Sequence, residues 1–428
     1  MSIAFRLLLI SIAIIPIVAF SDGLIAQSLF ATLTAAGLAA VAISARAADV
    51  SFVARATRYL KFAAALPAIW MIVQVLPTPF SSMSHSIWVN AREALNQQLW
   101  GHISVDVGAT VEALAFYLAN ISLILAGIFV AKDRRWAELL LLALTADTLL
   151  TIIALLVAKS GLIASLVPIE TDQALSGLSA IGAILSLTAA VHTVERYQSS
   201  RTGTSLPKTV LALCGGGLLI CIAGLAATAS LNVGLTVVFG AITFGSIQAI
   251  RRVGLAGWVS GIFISAMITA AAMIVLWRYD FVGGLSPLLQ FATSSSPDAV
   301  SVARRILSDT GWMGIGTGAY TLLLPVYEEL GSSVTRAPST AAAFAIELGW
   351  PMALFAIVAT IGLIVIFFRG ALIRGRDSFY PAAAAACSVI VLGQAFCDIS
   401  LLHSCVAIAV DLVVALGLAQ SRSQEAGP

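Results

Sequence analysis

Glu347 is the carboxylate in this chain best placed for acid–base chemistry. It lies in the first turns of an apolar helical run, where an ionisable residue is costly enough to be a functional candidate. A carboxylate there can take the proton of a hydroxyl attacking an activated carbon, and Glu328 is a second candidate for that role. Arg304, Arg305 and Arg336 are the nearby cations. A guanidinium binds phosphate oxygens bidentately and keeps its charge, so phosphate is a natural partner. Salt bridges to Asp298, Asp309, Glu328 or Glu329 compete with that reading, because residues 278–340 carry five acids against four bases. The stretch Gly311-Trp312-Met313-Gly314-Ile315-Gly316-Thr317-Gly318 has four glycines in eight residues, followed by Tyr320. Such a run lets the backbone bend sharply, approach a ligand closely and offer N–H groups to an anion. No strand–turn–helix pattern surrounds it, which excludes a dinucleotide site. The absence of CxxC and HExxH spacings, with only four scattered histidines, argues against a structural metal.

The elements that must position these groups are membrane helices. The chain of 428 residues is 60% hydrophobic and 10% charged, far from the soluble class, in which about a quarter of residues are charged. Twelve apolar runs, each near the length needed to cross about 30 Å of hydrocarbon, predict an all-α polytopic membrane protein. They include Leu7–Phe20, Leu60–Leu76, Leu255–Trp277 and Ala341–Phe368. Residues 1–277 form a nine-helix region, 278–340 a large external loop with short helices, and 341–428 a three-helix end. With the N-terminus inside, 17 of the 23 basic residues fall on the cytoplasmic side, which places both termini there. Residues 77–108 form a second external segment, in which Trp88, Trp100 and His85 suit a short amphipathic helix at headgroup level. Tyr320 to Leu330 reads as another helix, and Ala299 to Asp309 as a short one exposing Arg304 and Arg305. Asp147 and Asp411 lie near the middle of their helices with no cation at matching depth, which predicts that they are protonated or hydrogen-bonded to Thr145, Thr148 or similar groups. The five cysteines read as small apolar residues; only Cys397 and Cys405 are placed to meet across an external turn.

The order of elements resembles the O-antigen ligase and O-antigen polymerase superfamily. The shared features are a late, large external loop, arginine before a Gly-x-Gly-x-Gly stretch, and Glu347-Leu348-Gly349 opening the next helix. Arg336-Ala337-Pro338-Ser339-Thr340-Ala341-Ala342 is similar to the exopolysaccharide polymerase-like branch. The resemblance implies a GT-C-like membrane glycosyltransferase in the bacterial inner membrane, with a periplasmic active face and no cofactor. Its partners would be an undecaprenyl-diphosphate-linked oligosaccharide, a growing polysaccharide acceptor, membrane lipid, and chain-length or export proteins, with no nucleic acid. It also implies that Arg304, Arg305 and Arg336 hold diphosphate, that Gly314, Gly316, Gly318 and Tyr320 close over it, and that Glu347 or Glu328 activates the acceptor. Two features differ. Ser230-Leu231-Asn232 stands where the family has Ser-Arg, and Ala337-Pro338-Ser339 where it has a loop histidine; Arg201 has the right neighbours on the opposite side. A flippase or transporter for a lipid-linked glycan, using Asp147 and Asp411, and a non-catalytic subunit of a polysaccharide assembly are the alternatives.

Overall fold

The computed structural model describes residues 2–58, 60–78, 83–162, 171–199, 208–228, 230–253, 289, 291–292, 297–328, 334–373 and 377–421. Among them are seventeen α-helices and no strand. The first are α1 (Ser2–Ala13), α2 (Ile15–Phe20), α3 (Leu24–Ser44), α4 (Ala47–Ala56), α5 (Lys61–Val75) and α6 (Ser86–Leu95). Next come α7 (Val107–Ala131), α8 (Arg134–Val157), α9 (Thr171–Ser199), α10 (Lys208–Ala227) and α11 (Leu231–Val253). The last are α12 (Pro297–Asp309), α13 (Tyr320–Tyr327), α14 (Thr340–Glu347), α15 (Trp350–Ile373), α16 (Phe379–Cys397) and α17 (Ser404–Ser421).

Ten of the described spans are long and apolar enough to cross a membrane, with α1 and α2 acting as one from Ile3 to Phe20. The count is eleven if α4 and α5 form one bent span. The expected twelve were reached partly through Leu60–Leu76, whose helix α5 has only 15 residues. At 1.5 Å per residue it covers about 22 Å, short of the hydrocarbon thickness. The expected span Leu255–Trp277 lies outside the described residues, as do Arg201, Arg278 and Glu329. A second correction concerns Ala341–Phe368, which is two helices, α14 and α15, separated at Leu348 and Gly349.

The helices pack through small residues, as apolar helices must where lipid gives no hydrophobic drive for association. Helix α16 carries Ala382, Ala384, Ala385 and Ala386 with no exposed surface. A Cβ on Gly417 of α17 would come within 2.3 Å of the Ala384 Cβ, so this contact brings α16 and α17 together at backbone distance. Their opposite ends differ in chemistry. At one end Arg134 pairs with Asp377 at 2.9 Å, Arg251 with Glu195 at 3.6 Å, Lys132 with Asp49, and Arg196 with Glu138. At the other, Lys159 pairs with Asp172 at 2.7 Å, Thr340 bonds Asp398, and Ser404 bonds Asp22. The ends expected from alternating loops to share a side are therefore the ends that touch.

Candidate functional site

Helix α14 is short because its sequence and surroundings cap it at both ends. Ser339 Oγ accepts from Ala342 N at 3.2 Å, and the N–H and hydroxyl of Thr340 both donate to Asp398 O at 2.9 Å. Its apolar residues Ala342, Ala343, Ala345 and Ile346 are buried. Gly349 stops it with φ +86°, a left-handed conformation that strongly favours glycine. A helix that ends in apolar surroundings leaves carbonyls that need donors. Here Ile315 N reaches Ile346 O at 3.0 Å and Gly316 N reaches Glu347 O at 3.0 Å. Gln74 Nε2 also donates to Glu347 O at 2.9 Å, and Trp70 Nε1 to Leu348 O at 2.8 Å.

The glycine stretch is thus a helix cap. Gly314, Gly316 and Gly318 have φ of +77°, +100° and +80°. A Cβ on Gly316 would lie 2.1 Å from Ser104 Oγ, and one on Gly314 would lie 2.3 Å from Glu347 O. The N–H groups expected to face an anion are used inside the protein: Gly314 N bonds Gly311 O, Ile315 and Gly316 bond α14, and Ala319 N bonds Gly316 O. The N–H groups of Gly318 and Tyr320 point at the Glu347 carboxyl, the latter at 3.3 Å.

Glu347 itself is 7% exposed and lies before the spanning helix α15 begins. Burial pushes its carboxyl up to about 7, while the Gly318 and Tyr320 N–H groups pull it back. Near neutrality it is therefore divided between acid and base, as a general base needs to be. Around it sit polar atoms without hydrogen-bond partners among the described residues: Gln74 Oε1, Thr317 Oγ1 and the Tyr320 hydroxyl. Burial and the neighbouring Glu347 push the Tyr320 hydroxyl up, so it stays protonated.

The remaining candidates are spread around this centre. Arg304 and Arg305 lie on the exposed face of α12, whose Val302, Ala303 and Ile306 are buried. Arg336 Nη1 donates to Gln173 Oε1 at 2.7 Å, at the far end of α14 from Glu347. Eight helical residues separate those ends by about 11 Å. Glu328 Oε1 accepts from Val334 N at 2.9 Å, across the base of the loop that leaves α13. Helix α13 ends at Tyr327, three residues before the expected Leu330.

Neither the models of known families nor the curated proteins compared with this chain match it.

Several contributors were not singled out from sequence. Gln74 and Trp70 carried a signal, a lone amide and an indole in an otherwise apolar run. Ser104 and Thr110 link the second external segment to the cap: Val105 N bonds Ile315 O at 2.8 Å and Thr110 Oγ1 bonds Thr317 O at 3.1 Å. That segment does form the expected short helix, α6, with Trp88 Nε1 donating to Ser104 O at 2.9 Å. Asp398, 4% exposed, accepts from Ser176 Oγ at 2.9 Å and from Ser400 N at 3.1 Å. Burial raises its carboxyl, and the Ser400 and Ser176 bonds oppose that. The threonines expected to partner Asp147 instead bond their own helix, Thr145 to Leu141 O and Thr148 to Leu144 O, both at 2.7 Å. One carboxyl oxygen of Asp147 and one of Asp411 are buried without a hydrogen bond. Cys397 and Cys405 form no disulfide: Cys397 Sγ donates to Gly393 O at 3.3 Å, and Cys405 Sγ lies 3.2 Å from His403 Nδ1. Among the described residues no three His, Cys, Asp or Glu side chains are placed to hold a metal ion.

Proposed function

We propose that this protein is a membrane glycosyltransferase that polymerises or ligates a diphosphate-lipid-linked oligosaccharide at the periplasmic face, without metal. The observation that carries the reading is the interlock of its two motifs: Gly-x-Gly-x-Gly closes on Glu-Leu-Gly through Gly316 N and Glu347 O, and holds a buried carboxyl poised near neutral pH. Glu347 takes the acceptor hydroxyl's proton as that oxygen attacks the anomeric carbon and the lipid diphosphate leaves. Arg336, on the bundle side, and Arg304 and Arg305, on the outward face of α12, hold the diphosphate charge. The glycines act by fixing Glu347 rather than by touching phosphate.

The deciding experiment is polymer formation by the purified full chain from a lipid-linked donor. Arg336→Ala, Arg304→Ala and Arg305→Ala are each expected to lower yield by about tenfold or more, the scale of losing a charge-assisted hydrogen bond. Unchanged polymer in all three removes the diphosphate role.

A second reading, a proton-coupled transporter of a lipid-linked glycan, is favoured by the unpartnered carboxyl oxygens of Asp147 and Asp411 within the helices. Under the transfer reading, the pair Asp147→Asn and Asp411→Asn changes polymer yield by less than about threefold, because neither group meets the reacting atoms. Loss of glycan movement across vesicles in that double variant, with no polymer from the parent, selects the transporter.

A further inference from the structure

At the end of the bundle that holds Arg336, a cavity of about 240 Å³ opens between the turn joining α2 to α3, the first residue of α9 and the residue before α17. We propose that it binds one neutral sugar ring of the glycan substrate, an inference that rests on the transfer reading.

The walls are built rather than incidental. Asp22 Oδ2 accepts from Ser404 N at 2.9 Å, while its Oδ1 accepts from Ser404 Oγ at 2.7 Å and Gln27 Nε2 at 3.2 Å. The same Oδ2 lies 3.3 Å from His403 Nδ1. The carboxylate is thereby saturated: it caps α17 and fixes the imidazole, which is 5% exposed and lines the cavity. Thr171, which also lines the cavity, is 7% exposed. Phe20 contributes an aromatic surface and Ser21 an exposed hydroxyl at the rim.

An aromatic surface with hydroxyl and imidazole groups at its edge is amphipathic in the way a sugar ring is, with C–H bonds on one face and hydroxyls around the rim. The volume falls below the roughly 300–1,000 Å³ of drug-sized sites and suits a single ring. Charge narrows the class: among the described residues no Lys or Arg lines the cavity and a carboxylate does, so an anionic sugar is disfavoured. Position adds the link to the reaction. Thr171 and Gln173 occupy the same first turn of α9, and Gln173 holds Arg336. The cavity and the Arg336 contact therefore lie at the same end of α9, where a lipid-linked glycan presents its sugars.

The test is saturation-transfer NMR on the detergent-purified full chain with glucose, galactose and N-acetylglucosamine at millimolar concentration, and glucuronic acid as the anionic counterpart. Transfer to the neutral sugars is expected, about tenfold weaker in Thr171→Val, a loss on the scale of one hydrogen bond. It is also expected to be weaker for glucuronic acid and unchanged in Trp100→Ala, an exposed aromatic outside the cavity. Phe20→Leu provides a second variant should Thr171→Val not fold. No transfer to the parent protein, or equal transfer in parent and both variants, overturns the proposal. Neutral-sugar binding through Thr171 in a chain that makes no polymer upholds the cavity and removes the transfer reading; polymer without sugar contact at the cavity does the reverse.

Discussion

Glu347→Gln is expected to abolish glycan transfer while making the protein more stable above neutral pH. The two effects come from one cause, the burial of a carboxyl that is 7% exposed and held at about 7 against an ordinary 4.5. The folded state binds this proton more tightly than the unfolded state. Its contribution to stability is complete below pH 4.5 and is lost as pH rises through 7. The difference between 4.5 and about 7, at 1.36 kcal/mol per unit, corresponds to roughly 3 kcal/mol. Gln stays neutral at every pH and retains an oxygen for Tyr320 N, so the variant escapes that penalty. Thermal melts in detergent should therefore coincide for parent and variant near pH 4.5 and diverge toward pH 8, with the variant higher. Transfer should fall by about 10²–10⁴-fold, the usual contribution of a general base, and the parent's rate should rise with pH through about 7. A variant that melts lower at pH 8 and still makes polymer would show that the carboxylate is wanted in its charged form for structure alone.

The helical architecture was largely legible because a membrane span announces itself by composition. Thr171–Gln198 and Trp350–Ile373 are long, largely apolar helices, and a helix satisfies its backbone groups locally. The Glu347 neighbourhood was half legible. A carboxylate in an apolar run signalled its own importance, whereas the break beside it did not, because one glycine in a span is ordinary and only the tertiary approach of Trp312 O makes Gly349 decisive. The glycine stretch was found for the right reason, sharp turns, but its contact with α14 was hidden: the N–H groups of Ile315 and Gly316 meet carbonyls of α14 that a linear reading treats as bonded within a continuous helix. Arg304 and Arg305 were correctly placed on the exposed arc of their helix. The Asp22 and His403 pairing lay beyond reach, since residues so distant in sequence carry no spacing signal and only the fold brings them to 3.3 Å.

Gly349→Ala should be among the most damaging single-methyl additions in this chain, and Gly318→Ala should be mild by comparison. Both have left-handed φ, +86° and +80°, so each alanine carries about 1–2 kcal/mol of backbone strain. The difference is what the new methyl meets. At Gly349 it would lie 2.1 Å from Trp312 O and 2.9 Å from Gly314 N, backbone atoms of the cap that no rotamer change can move. At Gly318 it would lie 3.3 Å from the Cβ and O of Ala109, a gap closed by a few tenths of an ångström. Forcing the cap away from α14 adds overpacking of about 1–3 kcal/mol and strips buried carbonyls of donors at about 1–3 kcal/mol each. The expected loss is therefore about 4 kcal/mol or more for Gly349→Ala, against about 1–2 kcal/mol for Gly318→Ala. Melting of the two variants in the same detergent measures the contrast. Transfer should follow it, since the cap that fails at Gly349 is what aims the Gly318 and Tyr320 N–H groups at Glu347. Equal melting of the two would mean that the glycine stretch and the Glu-Leu-Gly break do not close on each other, and with that the position of the proposed base would be lost.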